Sequence, residues 1–323
     1  MRIRAHAAAT HAGRKRRQNE DAYVDRPPLF AVADGMGGAQ AGEVASRLAA
    51  GALEEDGDNG SAGPEERVAA LIQEANRRVF RRASEDAAVS GMGTTMTVAI
   101  VHAGQVTFGH VGDSRAYRFR TGELEQLTVD HSLVAELVRS GRLTPEEADT
   151  HPQRSVITRA VGTDPDVDVD TFTLDATPGD VYLLCSDGLT DMLDEQRIRS
   201  VFAEHADDLN AAAKALVSAA NRVGGDDNIT VVCFQVAEDA AGEQTAVLDG
   251  PTLEDALADE DTLSGLEGPA AIAAPEPAVA EAEPEPANRE QSPRPGRRRW
   301  GLAIALLVLG GLGVAAITLL DLL

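Results

Sequence analysis

Residues 29–46 read LFAVADGMGGAQAGEVAS. The apolar run from Leu29 to Ala33 has the composition of a strand entering a core. It closes on a carboxylate, Asp34, and then gives up side chains at Gly35, Gly37 and Gly38. A charge at the end of a buried strand costs free energy unless something compensates it. A strand end is also a rigid mount, and glycines beside it permit a sharp turn and close approach by an ion, water or substrate. The device recurs in VYLLCSDGLTD (181–191), which sets Asp187 before a glycine. It appears in reverse in GGDDNITVVCF (224–234), where Asp226 and Asp227 precede the apolar run.

Outward from these stretches the chain mixes the two hydrophobic periods. AGEVASRLAAGALEE reads as a helix, and EERVAALIQEANRRVFRRASED (65–86) as a longer one with Val68, Leu71, Ile72, Ala75 and Val79 on one face. TTMTVAIVHAG, QVTFGHVG and SRAYRFRTG follow as three strands joined by short turns. DHSLVAELVRSG reads as a short helix, DVDTFTL and DVYLLCSD as strands, EQRIRSVFAEH and DDLNAAAKALVSAANRVG as helices, and NITVVCFQVA as a closing strand. Consecutive strands with tight turns pair antiparallel, and the helices arrive in blocks. The expected class is therefore α+β, with sheets covered by helices, and not a doubly wound parallel sheet.

The 323 residues, 43% hydrophobic, suffice for one large domain with appendages. The net charge of -24 argues against a nucleic-acid partner, because no surplus of basic side chains is available to displace phosphate counterions. Cys185 and Cys233 lie inside apolar runs and read as buried, reduced thiols. Residues 1–237 form the expected folded domain. Residues 238–299 are an acidic stretch rich in Ala and Pro that reads as an extended linker ending in the basic stop Arg297, Arg298 and Arg299. Residues 300–320 are uncharged and apolar, the length of a bilayer-spanning helix, with Trp300 at interface depth and a short outer tail at 321–323. The arginines place everything before them on the cytoplasmic side, so the expected location is the cell membrane with a single pass.

The acids Glu20 and Asp21 (NEDA), Asp34, Asp113 (VGDSR), Asp187, Asp226 and Asp227 are each unremarkable alone, since Asp-Gly is a common turn and an acidic pair is a common surface feature. Converging in one cleft they would repel strongly, and divalent cations are the natural neutraliser. An all-oxygen set without His or Cys points to Mg2+ or Mn2+ and away from zinc. Two such ions about 3.5–4 Å apart make a hydrolytic site for a phosphoryl group.

The stretches GRKRRQNEDA, VADGMGG, GTTMTVAIV, GHVGDSRAYRFRTGELEQLTVDHS, ITRAVG, LLCSDGLTD and GDDNITVVCF occur in an order that resembles the protein phosphatase 2C family of metal-dependent Ser/Thr phosphatases, most closely its bacterial members. The resemblance implies a four-layer α-β-β-α sandwich of two antiparallel sheets flanked by helices. It implies that Asp34 bridges two Mn2+ or Mg2+ ions, that Asp187 and Asp227 hold the first, and that Glu20 and the Gly35 carbonyl hold the second. It further implies that Asp21 positions water, that Asp113 with Asp187 binds a looser third ion, and that Arg16 grips the substrate phosphate. The implied reaction is direct attack of a metal-bridging hydroxide on the phosphorus of phosphoserine or phosphothreonine in cytoplasmic proteins, a Ser/Thr kinase among the expected partners. Animal relatives carry a proposed acid, His, two residues after the bridging Asp; here that place is Met36, which has no proton to give, and His131 is the weak substitute. Residues 143–165 match the family's flap and read as a mobile loop beside the site. Two other readings compete: a pseudo-enzyme that binds phosphoprotein without hydrolysis, disfavoured by the full acidic set, and a metal-dependent nuclease or polymerase, disfavoured by the acidic chain and the lack of a basic groove in the sequence.

Overall fold

A computed structural model of the protein describes residues 1–37, 41–54 and 63–238. The strand β3 (Leu29–Met36) sets the layers. Its side chains alternate, as a two-residue period requires. Phe30 and Val32 join one buried cluster, and Leu29, Ala31 and Ala33 join another. The second cluster lies under α1 (Ala41–Glu54) and α2 (Pro64–Glu85). Pro64 opens α2 with its missing N–H where none is needed, and Glu65 and Glu66 favour the helix dipole in the first turn. The face expected to be apolar, from Val68 to Val79, is the buried one.

The other strands are β1 (Arg2–His11), β2 (Asp21–Arg26), β4 (Gly93–Thr94), β5 (Met96–His102), β6 (Gln105–Val111), β7 (Arg115–Arg120), β8 (Glu123–Gln126), β9 (Asp170–Asp175), β10 (Val181–Cys185) and β11 (Ile229–Ala237). One sheet runs β2-β3-β5-β6-β9, with β4 paired on β3, and the other runs β1-β11-β10-β7-β8. Every pairing is antiparallel. The second sheet's outer face is covered by α6 (Glu195–Glu204) and α7 (Leu209–Val223). The remaining short helices are α3 (Leu133–Arg139), α4 (Pro145–Asp149) and α5 (Asp187–Thr190). The class is α+β with two antiparallel sheets and helices on both outer faces.

Between the sheets lies a layer drawn from both, with Phe30, Val32, Phe108, Tyr182, Leu184 and Phe234 at its centre. Phe30 stacks on Phe234 with ring centres 4.2 Å apart, and Tyr182 on Phe234 at 5.1 Å. Each such pair adds about 0.5–1.5 kcal/mol beyond area burial. In a chain only 3% aromatic, much of that content is concentrated here. Cys185 and Cys233 are free and buried, and burial pushes the Cys185 thiol up to about 12.

Strand β1 was not expected. RIRAHAAATH is alanine-rich and poor in β-formers, and its extension is imposed by pairing with β11 along nearly its whole length. The span at 300–320, the tail at 321–323 and the linker beyond Glu238 lie outside the described residues; among the described residues no helix is long and apolar enough to cross a membrane.

One largely buried ion pair ties the end of β7 to the start of β10 in the second sheet. Asp180, whose side chain is 1% exposed, accepts from Arg120 Nε and Nη2, both at 2.6 Å, from the Thr177 N–H at 2.8 Å and from the Tyr182 hydroxyl at 3.2 Å. Burial works against its charge, but the Arg120 guanidinium and the other donors outweigh that and hold the carboxyl below the usual range. Asp180→Ala is expected to cost about 2–3 kcal/mol, less than a fully sealed pair because Arg120 is one-third exposed. A depressed carboxylate stabilises above its unfolded value and loses that contribution as pH falls through its folded one. Asp180→Asn and the native chain should therefore converge in stability in strong acid and diverge toward neutrality, as measured by urea unfolding against pH.

Candidate metal and phosphate site

The inter-sheet layer changes character at one end. On β3 the inward series Phe30, Val32 continues to Asp34; on β10 Tyr182, Leu184 leads to Ser186; on β11 Phe234, Val232 leads to Thr230. On β5 Ala99 leads to Thr97 and Thr95, and before β7 Ala116 leads to Ser114. All five hydroxyl residues are buried. Thr95 Oγ1 pairs with Ser114 Oγ at 2.7 Å and accepts from the Asp34 N–H at 2.9 Å. Ser186 Oγ accepts from the Thr230 N–H at 3.0 Å and donates to Asp21 Oδ2 at 2.9 Å. This hydroxyl bed fixes the backbone from which the acids project.

Asp21 and Asp34 stand directly opposite each other across β2 and β3, a register that places two carboxylates side by side. Burial, then the charges of Asp21, Asp187, Asp113 and Asp227, push Asp34 well above the ordinary carboxylate range. Burial and the neighbouring Asp113, Asp191 and Asp227 do the same to Asp187. Burial raises Asp21 to about 6, and burial with Asp130 raises Asp113 to about 7. Glu20 is raised by burial and by Asp227 and Glu43, against the lowering pull of Arg16. The sequence-predicted acids are thus brought into one electrostatic neighbourhood. Asp226 is not among them: its carboxylate pairs with Lys15 Nζ at 2.7 Å on the surface.

Three of these carboxyls, Asp21, Asp113 and Asp187, have an Oδ1 sealed from solvent without a hydrogen-bond partner. Orphaned anionic oxygens demand either protons or cations. The donor set is oxygen alone, which fits Mg2+ or Mn2+. As they stand, no three acidic, His or Cys side chains among the described residues are grouped closely enough to hold an ion. Asp227 Oδ2 accepts from Arg16 Nη2 at 2.7 Å.

The glycine beside Asp34 has a steric purpose. A Cβ on Gly35 would collide with the carbonyl oxygens of Gly42 and Glu20, so only glycine lets the first turn of α1 close over the strand end and the Glu20 loop. The Gly35 N–H donates to the Glu20 carbonyl at 3.2 Å, and the Ser46 hydroxyl of α1 donates to the same oxygen at 2.5 Å. Arg16 is half-exposed at the rim, paired with Asp227 through one guanidinium nitrogen.

Asn228 is a residue whose part was not anticipated. It is 3% exposed. Its Oδ1 accepts from the Glu20 N–H at 2.7 Å, and its Nδ2 donates to the carbonyls of Ala12 at 3.0 Å and Gln18 at 2.9 Å. One amide thus pins the 12–20 loop, with Arg16 and Glu20, to the strand entry that carries Asp227. The available signal was its place in DDNIT, since Asn beside an acid at a strand entry is a residue that bonds local backbone.

His131 is held as a turn support. It is 5% exposed, its Nδ1 accepts from the Gly112 N–H at 3.0 Å, and its Nε2 faces Asp170 Oδ2 at 3.1 Å. Burial lowers it against the pull of Asp170. Residues 143–165 are not featureless: they include α4, capped by Thr144, and bridges from Ile157 to Ser132 and from Val161 to Thr94. Together with α3 they border a cavity of about 1020 Å3 that reaches Asp113 and Asp187.

Two antiparallel sheets, helices on their outer faces and a carboxylate nest at one end of the inter-sheet space define a hydrolase-type metal-site sandwich. The sequence profile of protein phosphatase 2C matches residues 10–220. The chain belongs to the protein phosphatase 2C family. It is 40% identical over 236 residues to the serine/threonine phosphatase stp of Listeria welshimeri, covering 70% of this chain and 93% of that one. It is 39% identical over 246 residues to the serine/threonine protein phosphatase PstP of Mycobacterium tuberculosis, covering 76% and 47%. Among solved structures, the Mycobacterium tuberculosis phosphatase PstP/Ppp superposes with a TM-score of 0.70 at 38% identity, covering 74% of this chain and all of that one. The PstP catalytic domain in complex with two manganese ions gives 0.68 at 36% identity, over 74% and 100%.

Proposed function

We propose that the protein is a divalent-metal-dependent phosphatase that removes phosphate from phosphoserine and phosphothreonine in other proteins. The observation that carries this is the set of solvent-sealed, partnerless carboxylate oxygens at the sheet end, beside the half-exposed Arg16. Glu20, Asp34, the Gly35 carbonyl, Asp187 and Asp227 would hold two cations, Mn2+ or Mg2+, and Asp113 with Asp187 a further one. When bound, the ions neutralise the acids, draw charge from the phosphoryl oxygens and lower the pKa of water. The chain's own residues do the rest. Arg16 presents a planar fork of donors to two phosphate oxygens. Asp21 is held by the Ser186 hydroxyl through one oxygen, and its other oxygen, buried without a partner, would orient a water. Met36 has no proton for the leaving group, so that proton comes from water or another group.

The phosphatase unit is residues 1–237, tethered by 238–299 and anchored at 300–320 to the membrane with the unit facing the cytoplasm. The run of arginines before an apolar stretch of spanning length supports this. A cytoplasmic Ser/Thr kinase and its substrates are the fitting partners for such an enzyme. In the test, the full chain is offered a phosphothreonine peptide with Mn2+, with Mg2+ and with EDTA. Turnover with either ion and none with EDTA is expected. Arg16→Ala should raise KM about tenfold or more with a smaller fall in kcat. Equal turnover in EDTA refutes the metal reading, and binding without turnover favours a pseudo-enzyme.

A further inference from the structure

Charge is distributed unevenly around the site. In a chain of net charge -24, a groove of about 730 Å3 between β1 and α7 gathers cations: Arg14, Lys214 and Arg222, with His11 beside them, all exposed. None of these three pairs with a carboxylate among the described residues. Arg14 Nη1 reaches the Asn221 carbonyl at 3.4 Å, and Arg222 Nη1 donates to Ser218 Oγ at 2.7 Å. Lys15 and Arg16, the next residues after Arg14, are both engaged, with Asp226 and Asp227. The groove's free cations are therefore a local surplus in an acidic protein. Lysine occurs at only two positions in the whole sequence, and one of them, Lys214, is here.

The groove adjoins the phosphate site through the loop that carries Arg14 and Arg16. Arg14 and Arg16 are two residues apart, so at most about 7 Å of chain separates their backbones. The Arg14 and Lys15 N–H groups both donate to the Gly225 carbonyl, at 2.7 and 3.3 Å, which seats the loop on the turn leading to Asp227. The cavity under α3 and α4, also open to the site, has the opposite character. Seven acids line it against three arginines, and two of those, Arg115 and Arg154, are already paired with Asp130 and Asp191. A peptide whose phosphate sits by Arg16 thus meets a positive surface in one direction and a negative one in the other.

We infer that the β1–α7 groove receives an acidic flank of the substrate: Asp or Glu side chains a few residues from the phosphorylated one. The inference rests on the phosphatase reading and adds a substrate preference to it. Cations at a rim act through complementarity and steering, so the effect is salt-sensitive.

The test uses the full chain with Mn2+ and three phosphothreonine peptides whose flanks are Ala, Glu or Lys, with p-nitrophenyl phosphate as the flankless control. The Glu-flanked peptide is expected to exceed the Ala-flanked one about 5- to 10-fold in kcat/KM, through KM, with the advantage shrinking in high salt. In Lys214→Glu/Arg222→Glu the advantage should vanish while p-nitrophenyl phosphate turnover is unchanged. Equal rates on Ala and Glu flanks, or a Glu advantage that survives the double substitution, overturn the groove but leave the phosphatase standing. If no phosphorylated compound is turned over, the phosphatase reading fails. Fluorescence anisotropy of the Glu-flanked peptide then still decides the groove, with binding weakened about 5-fold or more in the double variant supporting it and unchanged binding overturning it.

Discussion

Asp34→Asn is expected to melt at a higher temperature than the native chain in EDTA while losing about a thousandfold or more of its turnover. The two effects have one cause. Asp34 faces Asp21 across the β2–β3 register, and the charge of Asp187 acts on it as well. Burial and four neighbouring acids all oppose its ionisation. An asparagine of the same shape removes the charge and supplies an Nδ2–H for its carboxylate neighbours. The relief is about 1–2 kcal/mol, a rise of roughly 2–8 °C for a domain of this size. The same change removes the charge and one of the two carboxylate oxygens that would hold the cations, so metal-dependent turnover is expected to collapse. Differential scanning calorimetry in EDTA, beside a phosphopeptide assay in Mn2+, reads both. A lower melting temperature in EDTA would mean that the acids do not repel one another, and the reasoning from convergence would fail.

Asn228→Ala should cost about 3–4 kcal/mol and weaken Mn2+ binding about tenfold or more. Three hydrogen bonds to a buried amide disappear, leaving the Glu20 N–H and the carbonyls of Ala12 and Gln18 without that partner. Each buried orphan costs about 1–3 kcal/mol, and the sum is less than additive because the three share one loop. The Asn228 N–H bond to Asp227 Oδ1, at 2.8 Å, survives the change because it is backbone. The loss therefore falls on the loop bearing Arg16 and Glu20 and spares the strand entry. Asn228→Asp sharpens the comparison. It keeps an acceptor for the Glu20 N–H, loses both donors and adds a negative charge beside Asp227. It should be less stable than Asn228→Ala in EDTA and should regain part of that difference in Mn2+. Chemical denaturation with and without Mn2+, and titration calorimetry with Mn2+, decide the matter. An Asn228→Ala protein with native Mn2+ affinity would reduce Asn228 to a folding residue.

The acids were legible because their physical oddity is local. A carboxylate that ends an apolar run and precedes glycine stands out at Asp34 and Asp187 without knowledge of the fold, and alternation along β3 carries Asp34 to the inter-sheet side once Phe30 and Val32 are core. The role of Asn228 was not legible, because its partners are some 210 residues away in sequence and only pairing of β1 with β11 brings them near. Strand β1 escaped for the same reason: RIRAHAAATH carries little strand propensity, and tertiary pairing overrides it. The engagement of Arg16 with Asp227 also depends on the fold, since neither residue's neighbours in sequence announce the other. The opposite charges of the two surfaces flanking the site come from α7 on one side and from α3, α4 and the segment after β10 on the other, a division that no single stretch of sequence displays.

The most direct measurement is the thermal midpoint of the full chain as Mn2+ is titrated into EDTA-treated protein. Saturable stabilisation is expected, about 4 kcal/mol at a thousandfold excess over Kd and hence a rise of about 8 °C or more, with Asp34→Asn showing little of it. A midpoint indifferent to millimolar Mn2+ and Mg2+ alike would contradict the account, because the orphaned oxygens of Asp21, Asp113 and Asp187 would then need another explanation.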